Sequence, residues 1–199
     1  YYKMSTAADE KDTYNGAATD VNFNVQGKYG NAAEFNGSSS VISLGTSSPL
    51  NTFGGAQTIS VWVKPSASRS AVIGYRENTT SYWNLIEIMT NNSIRFLLMS
   101  GSGSTALVFN SAGTITLNQW NHIAVTVDST SAKIYINNGS PETASNSITS
   151  FSNTETTYIG YSTDVDATYF TGQIDQVRIF SSALDATQVA SLYNEVYCV

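Results

Sequence analysis

The sequence is nearly empty of the residues that build soft-metal and redox sites, with one cysteine and one histidine in 199 residues. Cys198 has no second thiol with which to close an internal disulfide, so the fold must be held by its core or by a metal. Zinc needs several His or Cys ligands, which one of each cannot supply. Charge is scarce too, at 12% of residues, and the nine Lys and Arg are scattered along the chain. A formal charge of -6 with no basic patch argues against DNA or RNA as a partner, because phosphate binding needs a positive footprint. No apolar run approaches the roughly 20 residues that cross a bilayer, which argues against membrane insertion. An initiator Met and a signal peptide are also missing. The stretch therefore reads as a piece excised from a larger protein, or a processed product, with contacts to its parent expected.

Ser, Thr, Asn and Gly take the place of the missing charges, and 12% of the residues are aromatic. Such a surface suits hydroxyl-rich partners. Strand-like runs recur at short spacing: 40–44, 58–64, 71–75, 83–89, 94–99, 106–109, 122–127, 133–136, 157–161 and 173–180. Asn91-Asn92 and Asn138-Gly139 suit tight hairpin turns, which demand positive φ. Many short strands joined in this way predict one all-β domain over 1–199, a sandwich or barrel. The first 20 residues or so form an irregular lead-in expected to pair with the last strand. The convincing helix comes at the end, in SSALDATQVASLYNEV, where Asp185 and Gln188 complete a capping box and Val189, Leu192, Tyr193 and Val196 form a stripe. It is expected to pack at one sheet edge.

In FTGQIDQVRIF, Val177 and Ile179 share a strand face, and counting back by twos places Asp175 on that same apolar face. A buried carboxylate must be hydrogen-bonded, paired or bound to a cation.

Three stretches, GKYGNAAEFNGSSSVISL, TISVWVKP and QWNHIAVTVD, together with the closing FTGQIDQVRIFSSALDATQVASLYNE, resemble the laminin G-like, concanavalin A-like lectin/glucanase superfamily, particularly its bacterial and phage branch. The resemblance runs from about Asp12 to Glu195 and implies a two-sheet antiparallel jelly-roll sandwich. It also implies a structural Ca2+ where the lead-in meets the last long strand. Asp175, before Val177-Arg178-Ile179-Phe180, occupies the place of the family's aspartate, and Asp12 is its expected companion. Calcium accepts six to eight oxygens, so loop carbonyls would complete the shell. Two other readings stand beside it: a carboxylate accepting backbone N–H groups at a β-bulge, or an ion pair with arginine.

Glycosidases of the superfamily typically carry E-x-D-x-E on a strand, and this chain has no such string; Glu10-Lys11-Asp12 comes nearest. Glu87 is the most plausible lone carboxylate on a sheet face. His122, Trp62 and Trp120 read as structural, and Gly27, Gly30 and Gly37 as turn glycines. The chain is therefore expected to be no enzyme.

A sugar site combines an aromatic platform with planar polar groups. Two segments offer both: YRENTTSYWN, with Tyr75, Arg76, Glu77, Tyr82 and Trp83, and YSTDVDATYF, with Tyr161, Asp164, Asp166 and Tyr169. Arg76, Tyr82, Trp83, Asp164, Asp166 and Tyr169 are taken as the ligand-binding set. The resulting expectation is a non-catalytic carbohydrate-binding or adhesion module, binding a glycan or cell-surface polysaccharide, on an extracellular, cell-surface or phage virion protein. A structural or protein-interaction domain is the alternative, and a glycoside hydrolase the third reading.

Overall fold

The alternation of apolar residues with polar ones builds two facing sheets. The structure of the protein, a computed structural model, describes residues 1–76, 82–101, 106–163 and 168–196, apart from the side chains of Arg76, Tyr82 and Trp83. One seven-stranded antiparallel sheet runs in the order Ala17–Thr19, Val41–Gly45, Thr157–Ile159, Ser70–Arg76, Tyr82–Ile88, Ser93–Ser100, Ala106–Thr114. The second, also of seven strands, runs Glu142–Ser145, Ser131–Ile136, Asn121–Asp128, Ala56–Pro65, Thr171–Phe180, Asn31–Asn36, Asn22–Gln26. This is the jelly-roll sandwich expected of the sequence.

Strand Ala56–Pro65 shows how the core forms. Ile59, Val61 and Val63 point between the sheets and join Ile42, Ile86, Phe96 and Leu98 in one buried cluster. Each such side chain contributes about 1.5 to 3 kcal/mol on leaving water. The alternate residues, Thr58, Ser60, Trp62 and Lys64, belong to the outer face. Trp62 is nonetheless buried, at 4% exposure, because other elements cover it from outside. Trp120 is only half-buried.

A β-bulge interrupts the last strand. Asp175 pairs with Trp62 and Arg178 with Ser60, so two residues, Gln176 and Val177, oppose Val61 alone. Gln176 takes a left-handed conformation, with φ 52°. The extra residue reverses the alternation. Asp175 therefore does not share a face with Val177 and Ile179, as simple counting suggested; it lies beside Trp62 on the outer face.

The helix Ala186–Tyr193 carries the expected capping box between Asp185 and Gln188. It lies across the outer face of the second sheet rather than at an edge. Val189 is fully buried against Ala124 and Tyr135, and Tyr193 stacks on Trp62 with ring centroids 5.3 Å apart. The lead-in joins the last strand as expected, through reciprocal backbone hydrogen bonds between Tyr2 and Val177.

Candidate functional site

Asp175 sits beneath the turn that links Asn22–Gln26 to Asn31–Asn36. Its Oδ2 accepts the Tyr29 N–H at 2.9 Å, and a Cβ added to Gly27 would lie 2.6 Å from that same oxygen. The other oxygen, Oδ1, is buried without a hydrogen-bond partner. Burial pushes the pKa of Asp175 up to about 6, and the amides of Tyr29, Gln176 and Lys28 counteract part of that rise. The bulge and the accepted amide match the non-metal reading of this residue. Asp12 is elsewhere: it is exposed, with φ 52°, and bonds within its own loop to the Asp9 carbonyl and Asn15. Among the described residues no three His, Cys, Asp or Glu side chains gather to hold an ion. The unpartnered Oδ1 offers a cation one ligand, but the Asp12–Asp175 pair read from the sequence is not assembled, and this donor set does not fit a calcium shell.

The neighbouring polar groups are likewise engaged in structure. His122 pairs across the ladder with Trp62, its Nε2 lies 2.9 Å from Ser60 Oγ, and its Nδ1 is buried without a partner. Burial, then the positive charges of Arg178 and Lys28, push its pKa down to about 4, so the ring is neutral at pH 7. A fully buried Ser–His contact with no orienting acid has no route to substrate. Glu87 is ion-paired with Arg95 directly across the ladder, which makes it a structural carboxylate in a strand.

Of the expected ligand-binding residues, Asp164 and Asp166 lie outside the described residues, as does Glu77. Arg76, Tyr82 and Trp83 lie on strands that pair Arg76 with Trp83 and Tyr82 with Ser100. Tyr75 is core, 2% exposed, its hydroxyl donating to the Leu50 carbonyl. Tyr169 is half-buried and faces Tyr161 across the short pairing of Tyr161–Ser162 with Thr168–Tyr169. The two rings are 4.6 Å apart, and Tyr158 meets Tyr161 edge-on at 5.2 Å. Burial and the adjacent Tyr169 and Tyr158 hydroxyls raise the Tyr161 pKa. Both short strands pack against Ser70–Arg76, and the pairs Tyr158–Gly74 and Ile159–Ile73, followed by the Gly160 N–H donating to the Val72 carbonyl, carry the chain toward the Ser70 end of that strand, away from Tyr75 and Arg76. Tyr158 was not foreseen, since it sits in an apparently ordinary strand.

A separate cleft of about 380 Å3 is lined by Asn22, Glu34, Gln173 and Lys64, which form one row across four adjacent strands. Its one aromatic neighbour, Phe35, is 1% exposed, so the cleft lacks a stacking surface.

The comparisons agree with this architecture. Residues 35–190 match the Laminin_G_3 family of the concanavalin A-like lectin/glucanases superfamily. The chain belongs to this family. It is 28% identical over 154 residues to adhesion G-protein coupled receptor V1 of Danio rerio, a match covering 69% of this chain and 2% of the receptor. Domain 4 of AbnA, a GH43 extracellular arabinanase from Geobacillus stearothermophilus solved in complex with arabinotriose, superposes with a TM-score of 0.77 at 23% identity, covering 97% of this chain and 96% of that one. The binding domain of Paraclostridial Mosquitocidal Protein 1 gives a TM-score of 0.70 at 17% identity, covering 92% of this chain and 48% of that one. At such identities the structural likeness establishes the fold.

Proposed function

We propose that this chain is a non-catalytic carbohydrate-binding or adhesion module of an extracellular, cell-surface or virion protein. The observation that carries the reading is the cluster of Tyr158, Tyr161 and Tyr169, three partly exposed rings in which Tyr161 touches both of the others. Pyranose C–H faces stack on such rings, while the surrounding hydroxyls and amides serve the sugar's own hydroxyls. Rings already packed against each other lose little freedom on binding, which favours affinity. The low charge of the chain and its kinship with domains described as binding or adhesive support the same reading, as does the arabinotriose bound by the arabinanase domain.

A glycan array, followed by titration of the best ligand against Tyr161→Ala and Tyr169→Ala, tests it. Each variant is expected to weaken binding by about 1 to 3 kcal/mol while melting within a few degrees of the parent. Glycan binding untouched by both substitutions rejects this cluster as the site. An array with no ligand favours a structural or protein-interaction role.

A further inference from the structure

A groove far from the tyrosine cluster in sequence has the composition of a second sugar site. It has two lobes, of about 430 and 320 Å3, which share Tyr14, Pro49, Ile179 and Phe180 as a common saddle. Tyr14 is 38% exposed, and the other three are half-buried, so the saddle presents two rings and two aliphatic surfaces to solvent. The larger lobe is finished by Thr52, Gln57 and Ser181, among others, and contains no carboxylate or ammonium group. Gln57 is the informative member. It is 4% exposed, its Oε1 accepts from Asn84 Nδ2 at 3.0 Å, and its Nε2 is buried with no partner. An unpaired buried amide N–H costs about 1 to 3 kcal/mol, and an incoming oxygen acceptor recovers it.

The saddle is held in place by its own loop. The Tyr14 carbonyl accepts the Tyr2 hydroxyl at 2.6 Å. Asp9, in the smaller lobe, accepts from the Tyr1 nitrogen at 2.8 Å and from Thr13 N–H at 3.3 Å, while Asn15 Oδ1 accepts the Asp9 N–H at 2.8 Å. The Asp9 carboxylate is therefore committed to the loop, and exposed Lys11 also lines the smaller lobe, so the uncharged part of the groove is the larger lobe with the saddle.

From these features we infer that the groove binds a saccharide chain whose unit in the larger lobe is uncharged, with the ring faces of consecutive sugars on Tyr14 and Phe180 and a hydroxyl accepting from Gln57 Nε2 in the larger lobe. Two lobes joined by a saddle suit at least two linked sugar units, and each lobe has a volume typical of small-ligand pockets. An acidic sugar would bring a carboxylate to a larger lobe with no cation to meet it. The inference rests on the glycan-binding reading above but places binding at a different site, so the two fail separately.

The test uses the whole chain labelled with 15N, titrated with cellotetraose, xylotetraose and linear arabinotetraose, and followed by amide shifts. Shifts are expected at residues 13–14, 52, 57 and 179–181 with at least one of the three. Tyr14→Ala should weaken that binding about tenfold or more. Thr52→Arg, an exposed position that fills the larger lobe without removing a contact, should block it even if Tyr14→Ala proves poorly folded. Shifts confined to Tyr158, Tyr161 and Tyr169, or affinity unchanged in both variants, overturn the groove and leave the tyrosine cluster standing. Binding of none of the three sugars while the array yields a ligand for the tyrosine cluster overturns the groove alone; no binding by either route sinks both. Display-selected peptides that need Tyr14, with no sugar shifting these amides, make it a peptide groove and likewise overturn the inference.

Discussion

Asp175, Trp62 and His122 form one row across three strands beneath the terminal helix, and the two titratable members respond to acid in opposite ways. Asp175 has a folded pKa of about 6, above its ordinary value, so its protonated form fits the fold better. Its contribution to stability is complete below the unfolded value near 4 and is lost as pH rises through 6. His122 has a folded pKa of about 4, below its ordinary value, so its neutral form fits better. Its contribution is complete above the unfolded value near 6.5 and is lost as pH falls through 4. Each shift corresponds to roughly 3 kcal/mol at most. Lys28, Arg178 and Glu195 are the charged groups around the pair, and Arg178 is ion-paired with Glu195 at 2.5 Å. The parent protein is therefore expected to show a nearly level melting temperature from pH 6.5 to 4. Asp175→Asn should expose the histidine slope, with melting falling as acid is added. His122→Gln should expose the carboxylate slope, with melting rising. Thermal melts at half-unit pH intervals read both, and parallel curves for all three proteins would dispose of the compensation.

At the scale of elements, the turn of the Asn22–Asn36 hairpin meets Asp175 through the Tyr29 N–H and through the close approach of Gly27 to the carboxylate, which predicts coupling between positions 27 and 175. Gly27→Ala puts a methyl 2.6 Å from the carboxylate oxygen and should cost about 1 to 3 kcal/mol, by crowding a packed site. In Asp175→Ala the same change should cost much less, and a double-mutant cycle in urea measures the difference. Equal costs in the two backgrounds would mean that the turn and the aspartate act independently. The hairpin also marks where sequence reading failed. Its strands, NFNVQ and NAAEFN, are rich in Asn and Ala, which have little strand preference, and they extend because they pair with each other and with Thr171–Phe180. The ten strands read from alternation all exist within a few residues of their expected ends, because their apolar faces are long enough to declare themselves. Thr157–Tyr161 is divided, since Gly160 at φ 81° turns the chain between Ile159 and Tyr161. The bulge was legible as one of the readings of Asp175, from the spacing of Ile174 and Val177, but not its position: Gln176 adopts a conformation that glycine would have advertised, and counting by twos through it put Asp175 on the wrong face.

For the whole molecule, stability comes from a core spanning both sheets, and the two aspartates assigned to an ion are not joined. Added calcium and added chelator are therefore expected to leave the melting temperature within about 1 °C of each other, since only a ligand that prefers the native state shifts it. A larger calcium shift that disappears in Asp175→Ala would restore the metal reading. Candidate binding surfaces were legible only where residues close in sequence made them, as with Tyr161 and Tyr169; the Tyr14 groove draws on residues 14, 49, 57 and 180, whose proximity is a product of topology. Topology also sets how the domain would behave under tension. Arg178 receives both ends of the described chain, its guanidinium 4.4 Å from the Tyr1 ring centroid and its side chain bonded to Glu195. A tether entering at residue 1 and leaving near residue 195 thus gains almost no length from the folded domain. Were the sandwich pulled open, the same 195 residues would reel out roughly 650 Å, at about 3.3 to 3.6 Å per residue.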